Sequence, residues 1–340
     1  MASELYLAKE IDKILEKIDY SRLKGNVGIK VHFGEAGCVT YMNPKIVEAV
    51  YDKVVSNGLK AKLIETNVLY RGSRSNATDH RKTALDHGFD FAEIDILDGE
   101  DGSEVIEVPV ENGIVKSAKL GRGLKNYDSM IVISHFKGHI AAGYGGCFKQ
   151  LAMGLGSRSG KLHMHATVSP FVDEDSCIGC SACIRGCDFN AIELNDQNKA
   201  MIISDKCAGC AMCIAICPVK AVQIPWGTST NEDLQKKIVD YSGAVFEIIP
   251  KENIIFINIL EKITRDCDCF GTAQTPLMED VGILAGYDPV AIDKASIDLA
   301  EKAHPGIMKE INDIDKSVQV DYAAEKGLGS KDYDILDLDE

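Results

Sequence analysis

Two short segments carry the same cysteine spacing. "CIGCSACIRGC" places Cys177, Cys180, Cys183 and Cys187 in the pattern C-x2-C-x2-C-x3-C, and "CAGCAMCIAICP" repeats it with Cys207, Cys210, Cys213 and Cys217, followed by Pro218. Eight of the 12 cysteines therefore lie between positions 177 and 217. A disulfide framework of the secreted kind spreads its thiols along a short chain, and this chain of 340 residues does the opposite. Tetrahedral zinc takes two separated pairs of ligands, and this spacing is denser than that. The pattern calls for metal clusters and a reducing compartment.

The spacing is that of bacterial two-cluster ferredoxins, in which three thiolates of one run grip one cube and the fourth reaches the other. The expected ligand sets for two 4Fe–4S clusters are Cys177, Cys180, Cys183 with Cys217, and Cys207, Cys210, Cys213 with Cys187. Gly179 and Gly209 let backbone amides approach sulfide. "AIELND", "AMIISDKC" and "AVQIPW" read as short strands, so residues 171–226 are expected to form two copies of a loop–helix–strand unit. Asp188 stands where a proline would follow Cys187, a change that removes no ligand.

This module interrupts a larger pattern. "VGIKVHF", "KAKLIETN", "SMIVISHF" and "IIFINIL" are nearly continuous apolar runs, as in strands covered on both faces of a parallel sheet. Helical patterns alternate with them. "NPKIVEAVYDKVVSNG" opens with Asn43 as N-cap and Pro44 at the first helical position, and "DPVAIDKASIDLAEKA" repeats the device with Asp288 and Pro289. The fold class expected is α/β, a doubly wound, mostly parallel sheet body (1–170 and 227–340) with an inserted α+β ferredoxin domain of the bacterial type (171–226). "VIEVPVENGIV" predicts a hairpin turning on Asn-Gly. "GSRSNATDH", with Asn76-Ala77-Thr78, is expected to cap a helix before "HRKTALDHG". The acidic end "KDYDILDLDE" reads as a solvated tail.

Apolar runs stay short of the roughly 20 residues that span a bilayer, and the acidic, amphipathic start "MASELYLAKEIDKILEKI" does not suit a signal peptide. The expectation is a cytoplasmic protein with no membrane role. A formal net charge of −15 argues against a nucleic-acid partner.

In doubly wound sheets, sites form beyond the C-terminal ends of the strands. Reading those ends gives His32 and Cys38, then Glu65 and Asn67, then His135, Lys137, His139, Cys147 and Lys149, then Cys267 and Cys269. With Lys161, His163 and His165, the His and Lys members are candidates for a small-molecule pocket. The glycine-rich "GYGGCFKQLAMGLGSRSGK" suits phosphate on backbone amides, but it matches neither a P-loop nor a dinucleotide fingerprint.

"IKVHFGEAG", "LYRGSRSNATDH", "HFKGHIAAGYGG", "FKQLAMGLGSRSGKLHMH", the two cysteine runs, "CDC" and "DVGILAGYDPVAIDKASIDL" together resemble the iron–sulfur-centre group of the family known as domain of unknown function 362. The resemblance implies an α/β body with an inserted two-cluster ferredoxin domain, and it supplies no reaction. Cys267 and Cys269 match that group's pair. Cys38 stands where the group's pattern has asparagine, and Cys147 where it has a small residue such as alanine.

Those four outer cysteines leave three readings open: ligands of a third 4Fe–4S cluster, a four-thiolate zinc site, or free thiols, with Cys267 and Cys269 as a separate redox or ligand pair. The function expected is an iron–sulfur electron-transfer protein or oxidoreductase subunit. Electrons would enter from a ferredoxin-like redox partner protein and reach a third centre or a small-molecule substrate on the body. The alternative is a metallocluster carrier or scaffold that uses Cys38, Cys147, Cys267 and Cys269.

Overall fold

The computed structural model describes residues 2–340. Its central sheet has eight strands: β1 (Ser3–Ala8), β2 (Asn26–Lys30), β3 (Lys60–Glu65), β4 (Ile94–Ile96), β5 (Ser129–His135), β6 (Ile254–Leu260), β7 (Gly282–Gly286) and β8 (Tyr333–Asp337). Their spatial order is β8-β1-β7-β6-β5-β2-β3-β4. β7 runs against its neighbours β1 and β6. The other pairings, β8 with β1, β6 with β5, β5 with β2, β2 with β3 and β3 with β4, are parallel.

The continuous apolar runs have a direct structural cause. β5 and β6 are buried at every residue, because both of their faces are covered. Met130, Val132, Ile254 and Phe256 point to one side, where they join α2 (Cys147–Leu155), α4 (Asn231–Phe246) and α5 (Pro289–Ala303) through Phe148, Leu151, Ile238, Tyr241 and Ile292. Ile131, Ile133, Ile255 and Ile257 point to the other, against Val47, Val50 and Val54 of α1 (Pro44–Ser56). Each such side chain contributes about 1.5–3 kcal/mol on burial. The mostly parallel α/β body expected from the sequence is the fold observed.

The helix starts follow local rules. The Asn43 side chain accepts from Lys45 N, and Asp288 accepts from Val290 N and Ala291 N, each with proline at the first helical position. Asn76 accepts from Asp79 N at 2.8 Å. Short α3 (Arg158–His165) starts on Ser157, whose hydroxyl accepts from Gly160 N. α2 is capped from another element. Gly146 precedes it, and the Asp293 carboxylate of α5 accepts from Cys147 N at 2.8 Å and Phe148 N at 3.3 Å. A Cβ at Gly146 would run into that carboxylate.

Two expectations are corrected. The acidic end is not a solvated tail: Tyr333–Asp337 pairs with Ser3–Leu7 as an edge strand. Tyr333 and Ile335 pack on the core while Asp334 and Leu336 between and after them face outward, a period-2 pattern that acidic composition masked. The hairpin exists, with Val105–Pro109 against Ser117–Gly121, but its loop is wide rather than a two-residue turn. The Asp240 carboxylate of α4 holds that loop by accepting from Ile114 N and Val115 N.

Residues 171–226 carry small sheets of their own, Phe171–Val172 with Val222–Gln223 and Ile192–Leu194 with Ala200–Ile202. The backbone repeats at a thirty-residue offset. Gly179 and Gly209 have φ 66 and 68, Ser181 and Ala211 φ 58 and 62, and Asn190 and Lys220 φ 49 and 56. Left-handed serine, alanine and lysine are uncommon, so their recurrence at matched positions marks a duplicated loop. Among the described residues, no helix is long and apolar enough to cross a membrane.

Asp293→Ala leaves Cys147 N, Phe148 N and Asn258 Nδ2 without their buried acceptor. It is expected to lower unfolding free energy by on the order of 3 kcal/mol, read as a reduced urea midpoint with an unchanged slope.

Candidate functional site

The loops after β2, β3, β5 and β6 emerge at one edge of the sheet, because these four strands run in the same direction. Together with residues 220–231 they enclose a cavity of about 820 Å³. His32, His135, Lys137, His139, Lys149, Lys161, His165, Cys267 and Cys269 line it. The placement at strand ends follows the rule for open α/β sheets.

His163 is the exception in the expected set. It turns to the other side of α3, where its Nδ1 lies 2.9 Å from the Tyr241 hydroxyl, and it takes no part in the wall. Residues missed from the sequence complete the wall: Glu35, Tyr70, Arg71, Arg74, Trp226 and Phe270. "YRGSR" directly after β3 was the available signal, two guanidinium groups in a strand-end loop.

Charge is dense around the cavity. Lys30 pairs with Glu65 at 3.1 Å, both buried, and Arg74 Nε donates to Glu35 at 3.3 Å. Asp268, fully buried, takes His135 Nδ1 at 2.9 Å and Lys137 Nζ at 3.2 Å. Burial opposes the charge of Asp268, but His135 and Lys137 outweigh it and hold the carboxyl below its usual range. The second nitrogen of His135 meets the Glu261 carbonyl at 2.9 Å, so both ring nitrogens are occupied and this residue works as a post. Burial, with Arg74 and Lys137 next, keeps His32 neutral. Burial and Lys149 do the same for His139 and for His165, which is pushed down to about 3.

Lys161 Nζ donates to Thr66 Oγ1 at 2.5 Å, to Asn67 O at 2.7 Å and to Gly156 O at 2.8 Å. Burial lowers its pKa to about 8. Lys149 Nζ lies 3.4 Å from Cys267 Sγ. The Cys269 thiol donates to Cys267, and with Lys149 and Lys137 this holds Cys267 well below the ordinary thiol range despite its burial.

The four outer cysteines do not form one ligand set. Cys147 and Lys149 lie two residues apart on α2, so they point in nearly opposite directions. Lys149 faces the cavity, while Cys147 Sγ donates to the Pro289 carbonyl at 3.3 Å under α5. Burial and Asp293 push the Cys147 thiol far up. Cys38 sits behind the wall with Sγ 3.6 Å from Thr40 Oγ1, close enough to feel Asp268 and Cys267. In this structure Cys147 faces away from the cavity and Cys38 lies behind its wall, so the four are not assembled around one centre, whether a third cluster, zinc or a carried metal; Cys267 and Cys269 line the cavity as a pair.

The other eight cysteines gather in two fours. Cys177, Cys180, Cys183 and Cys217 surround one small cavity, and Cys187, Cys207, Cys210 and Cys213 surround another. Backbone amides point at three of the sulfurs: Ala200 N at Cys177 (3.5 Å), Ala191 N at Cys187 (3.4 Å) and Ala221 N at Cys217 (3.1 Å). Such bonds favour thiolate. Burial, with the neighbouring Cys210, Cys207 and Cys183 next, disfavours it and raises Cys213 to about 12, a cost that a bound cation removes by deprotonating its thiol ligands. The residues fit an iron–sulfur group.

The chain belongs to the family described as "Domain of unknown function (DUF362)", which matches residues 27–298. A ferredoxin-type protein, NapF of Haemophilus influenzae, is 50% identical over 36 residues, 11% of this chain and 20% of that protein. Two solved structures are similar. Lactate racemase apoprotein from Thermoanaerobacterium thermosaccharolyticum has a TM-score of 0.37 at 11% identity, over 76% of this chain and 50% of that one. A Thermotoga maritima protein has a TM-score of 0.40 at 12% identity, over 86% and 56%. The chain thus spans about half of each solved relative and a fifth of the curated one, and these likenesses carry no argument about activity.

The sign of the Lys161 shift gives a pH dependence. Its charge is present below its pKa of about 8 and lost above it. Affinity of the cavity for sulfate, whose own charge does not change in this window, measured by calorimetry, is expected to fall from about pH 7 to about pH 9. Lys161→Met should lower the affinity about tenfold at the lower pH and flatten this profile.

Proposed function

We propose that this chain is an iron–sulfur electron-transfer protein of a reducing, cytoplasmic setting, serving a small anionic substrate in the large cavity. The 4Fe–4S clusters, when bound by Cys177, Cys180, Cys183 with Cys217 and by Cys207, Cys210, Cys213 with Cys187, would supply one-electron transfers from a ferredoxin-like partner.

The observation that carries this reading is a shared wall. Cys217, Pro218 and Val219 line the first cysteine cavity, and Lys220, the next residue, lines the large one. Arg71, also on the large cavity, donates to the Cys217 carbonyl at 2.7 Å. One loop therefore touches both a candidate electron carrier and a candidate substrate, and Arg71 fixes their spacing.

The wall also favours an anion. Among the described residues, Arg71, Lys149, Lys161 and Lys220 have no carboxylate within ion-pair distance, while Lys30, Arg74 and Lys137 do. Cations without a carboxylate partner leave a net positive potential in a partly closed cavity, which attracts negative charge because little water screens it. Arg71 offers a planar fork that matches a carboxylate or phosphate. His165 stands edge-on to Trp226 with ring centroids 5.0 Å apart, closing the side nearest the cysteine-rich segment.

Iron and sulfide quantitation on anaerobically prepared protein tests the ligand assignment. The expected content is about eight irons per chain, reduced by about four in Cys217→Ser and unchanged in Cys267→Ser. Iron near zero, or about twelve per chain, would overturn it.

A further inference from the structure

We propose that Cys267 and Cys269 form a dithiol–disulfide couple in the wall of the large cavity, one that reduces a small anionic disulfide. Its recharging by electrons from the cysteine-rich segment rests on the function proposed above; the couple itself does not.

The geometry begins with a turn. Phe270 N donates to Cys267 O at 3.0 Å, which makes residues 267–270 a β-turn with the two cysteines at its first and third positions. With a Cα step of about 3.8 Å, such positions lie roughly 5–6 Å apart, inside the window that a disulfide bridges. The turn is clamped from three other loops. Asp268 is held by His135 and Lys137, its carbonyl accepts from Glu35 N at 2.9 Å, and the Cys269 carbonyl accepts from the Tyr70 hydroxyl at 2.7 Å. Such rigidity keeps the two side chains together in either oxidation state.

The chemistry follows from what surrounds the pair. Both cysteines line the cavity, whereas Cys38 and Cys147 do not. Lys149 Nζ, 3.4 Å from Cys267 Sγ, favours thiolate there. Arg71, Lys161 and Lys220, none with a carboxylate within ion-pair distance among the described residues, favour a negatively charged partner for it. A disulfide closed across a single residue is a small, constrained ring with a comparatively oxidising potential, so it is readily recharged and its dithiol reduces those disulfides that are more oxidising still.

The steps balance. The Cys267 thiolate attacks one sulfur of R–S–S–R, forming Cys267–S–S–R and releasing RS⁻. Cys269 gives up its proton and attacks Cys267 Sγ, releasing the second RS⁻; the proton goes to one of the released thiolates. The pair has lost two electrons and the substrate has gained them. Two electrons, delivered singly from a reduced ferredoxin-type donor, and one solvent proton restore the Cys267 thiolate and the Cys269 thiol.

The test uses full-length, anaerobically prepared and prereduced protein with dithiobis(nitrobenzoate), a dianionic disulfide that releases a coloured thiolate. Wild type is expected to release about two thiolates per chain beyond the Cys267→Ser/Cys269→Ser double variant and to keep no thionitrobenzoate adduct on either cysteine, and an adduct retained on each of them would overturn the proposal. Cys269→Ser should release about one and retain a mixed disulfide on Cys267, seen by peptide mass. Lys149→Met should slow release about tenfold without changing its extent. Release no greater than that of the double variant would overturn the proposal, as would two thiols that react only after iron is stripped. Exchange that proceeds while a reduced ferredoxin fails to restore the dithiol would uphold the couple and count instead against the electron path.

Discussion

A single buried carboxylate organises the working edge of this molecule. Asp268 has no exposure, and an isolated charge in that position would cost several kcal/mol. It is tolerated because His135 and Lys137 come from the loop after β5 to meet it. Lys137 is itself buried, and burial opposes its charge, but Asp268 more than compensates and its pKa is raised. Neither charge is stable there without the other, so the loops after β5 and β6 are obliged to lie together. The Asp268 carbonyl then fixes the loop after β2 through Glu35, whose carboxylate receives Arg74 from the loop after β3. Four strand ends become one surface through a chain of buried, mutually dependent charges.

That dependence explains how a polar cavity survives at the edge of so apolar a sheet. β5 and β6 supply rigid, fully buried rails, and the charged groups of the cavity begin where those rails end. The cavity then borrows its remaining wall from residues 220–231, the exit of the cysteine-rich segment. Body and segment share apolar contact as well, since Leu69 and Leu162 pack with Ile192, Ile214, Val222 and Ile224. Arg158 extends the contact from beneath, its guanidinium donating to the Asp101 and Ser75 carbonyls and lying 3.9 Å from Met212 Sδ.

Much of this was legible in the sequence, and the limits have physical causes. Periodicity announced the buried strands, and Asn-Pro and Asp-Pro announced two helices, because these signals are local. The strand-end rule found most of the cavity for the same reason. Cys147 and His163 were misplaced because strand-end reasoning locates a backbone and not the direction of a side chain. Each sits on a short helix, where one or two residues decide between the cavity and the opposite face. The edge strand 333–337 was hidden because its aspartates dominated composition, while Tyr333 and Ile335 carried the period that mattered. Arg71 and Arg74 were within reach of the sequence, but arginines in a loop have the default meaning of solvated charge.

The strand at 333–337 also settles a problem of surface chemistry. β1 would otherwise end the sheet with open amides and carbonyls, a template for pairing with another molecule. β8 takes those groups and presents its own edge in their place. That edge is short and carries Asp334 and Asp337, so a second copy approaching in register would bring like charges into opposition. The acidic run thereby guards the sheet against edge-to-edge aggregation, and part of the net charge of −15 acts as colloidal protection at the place where the fold is most exposed to it.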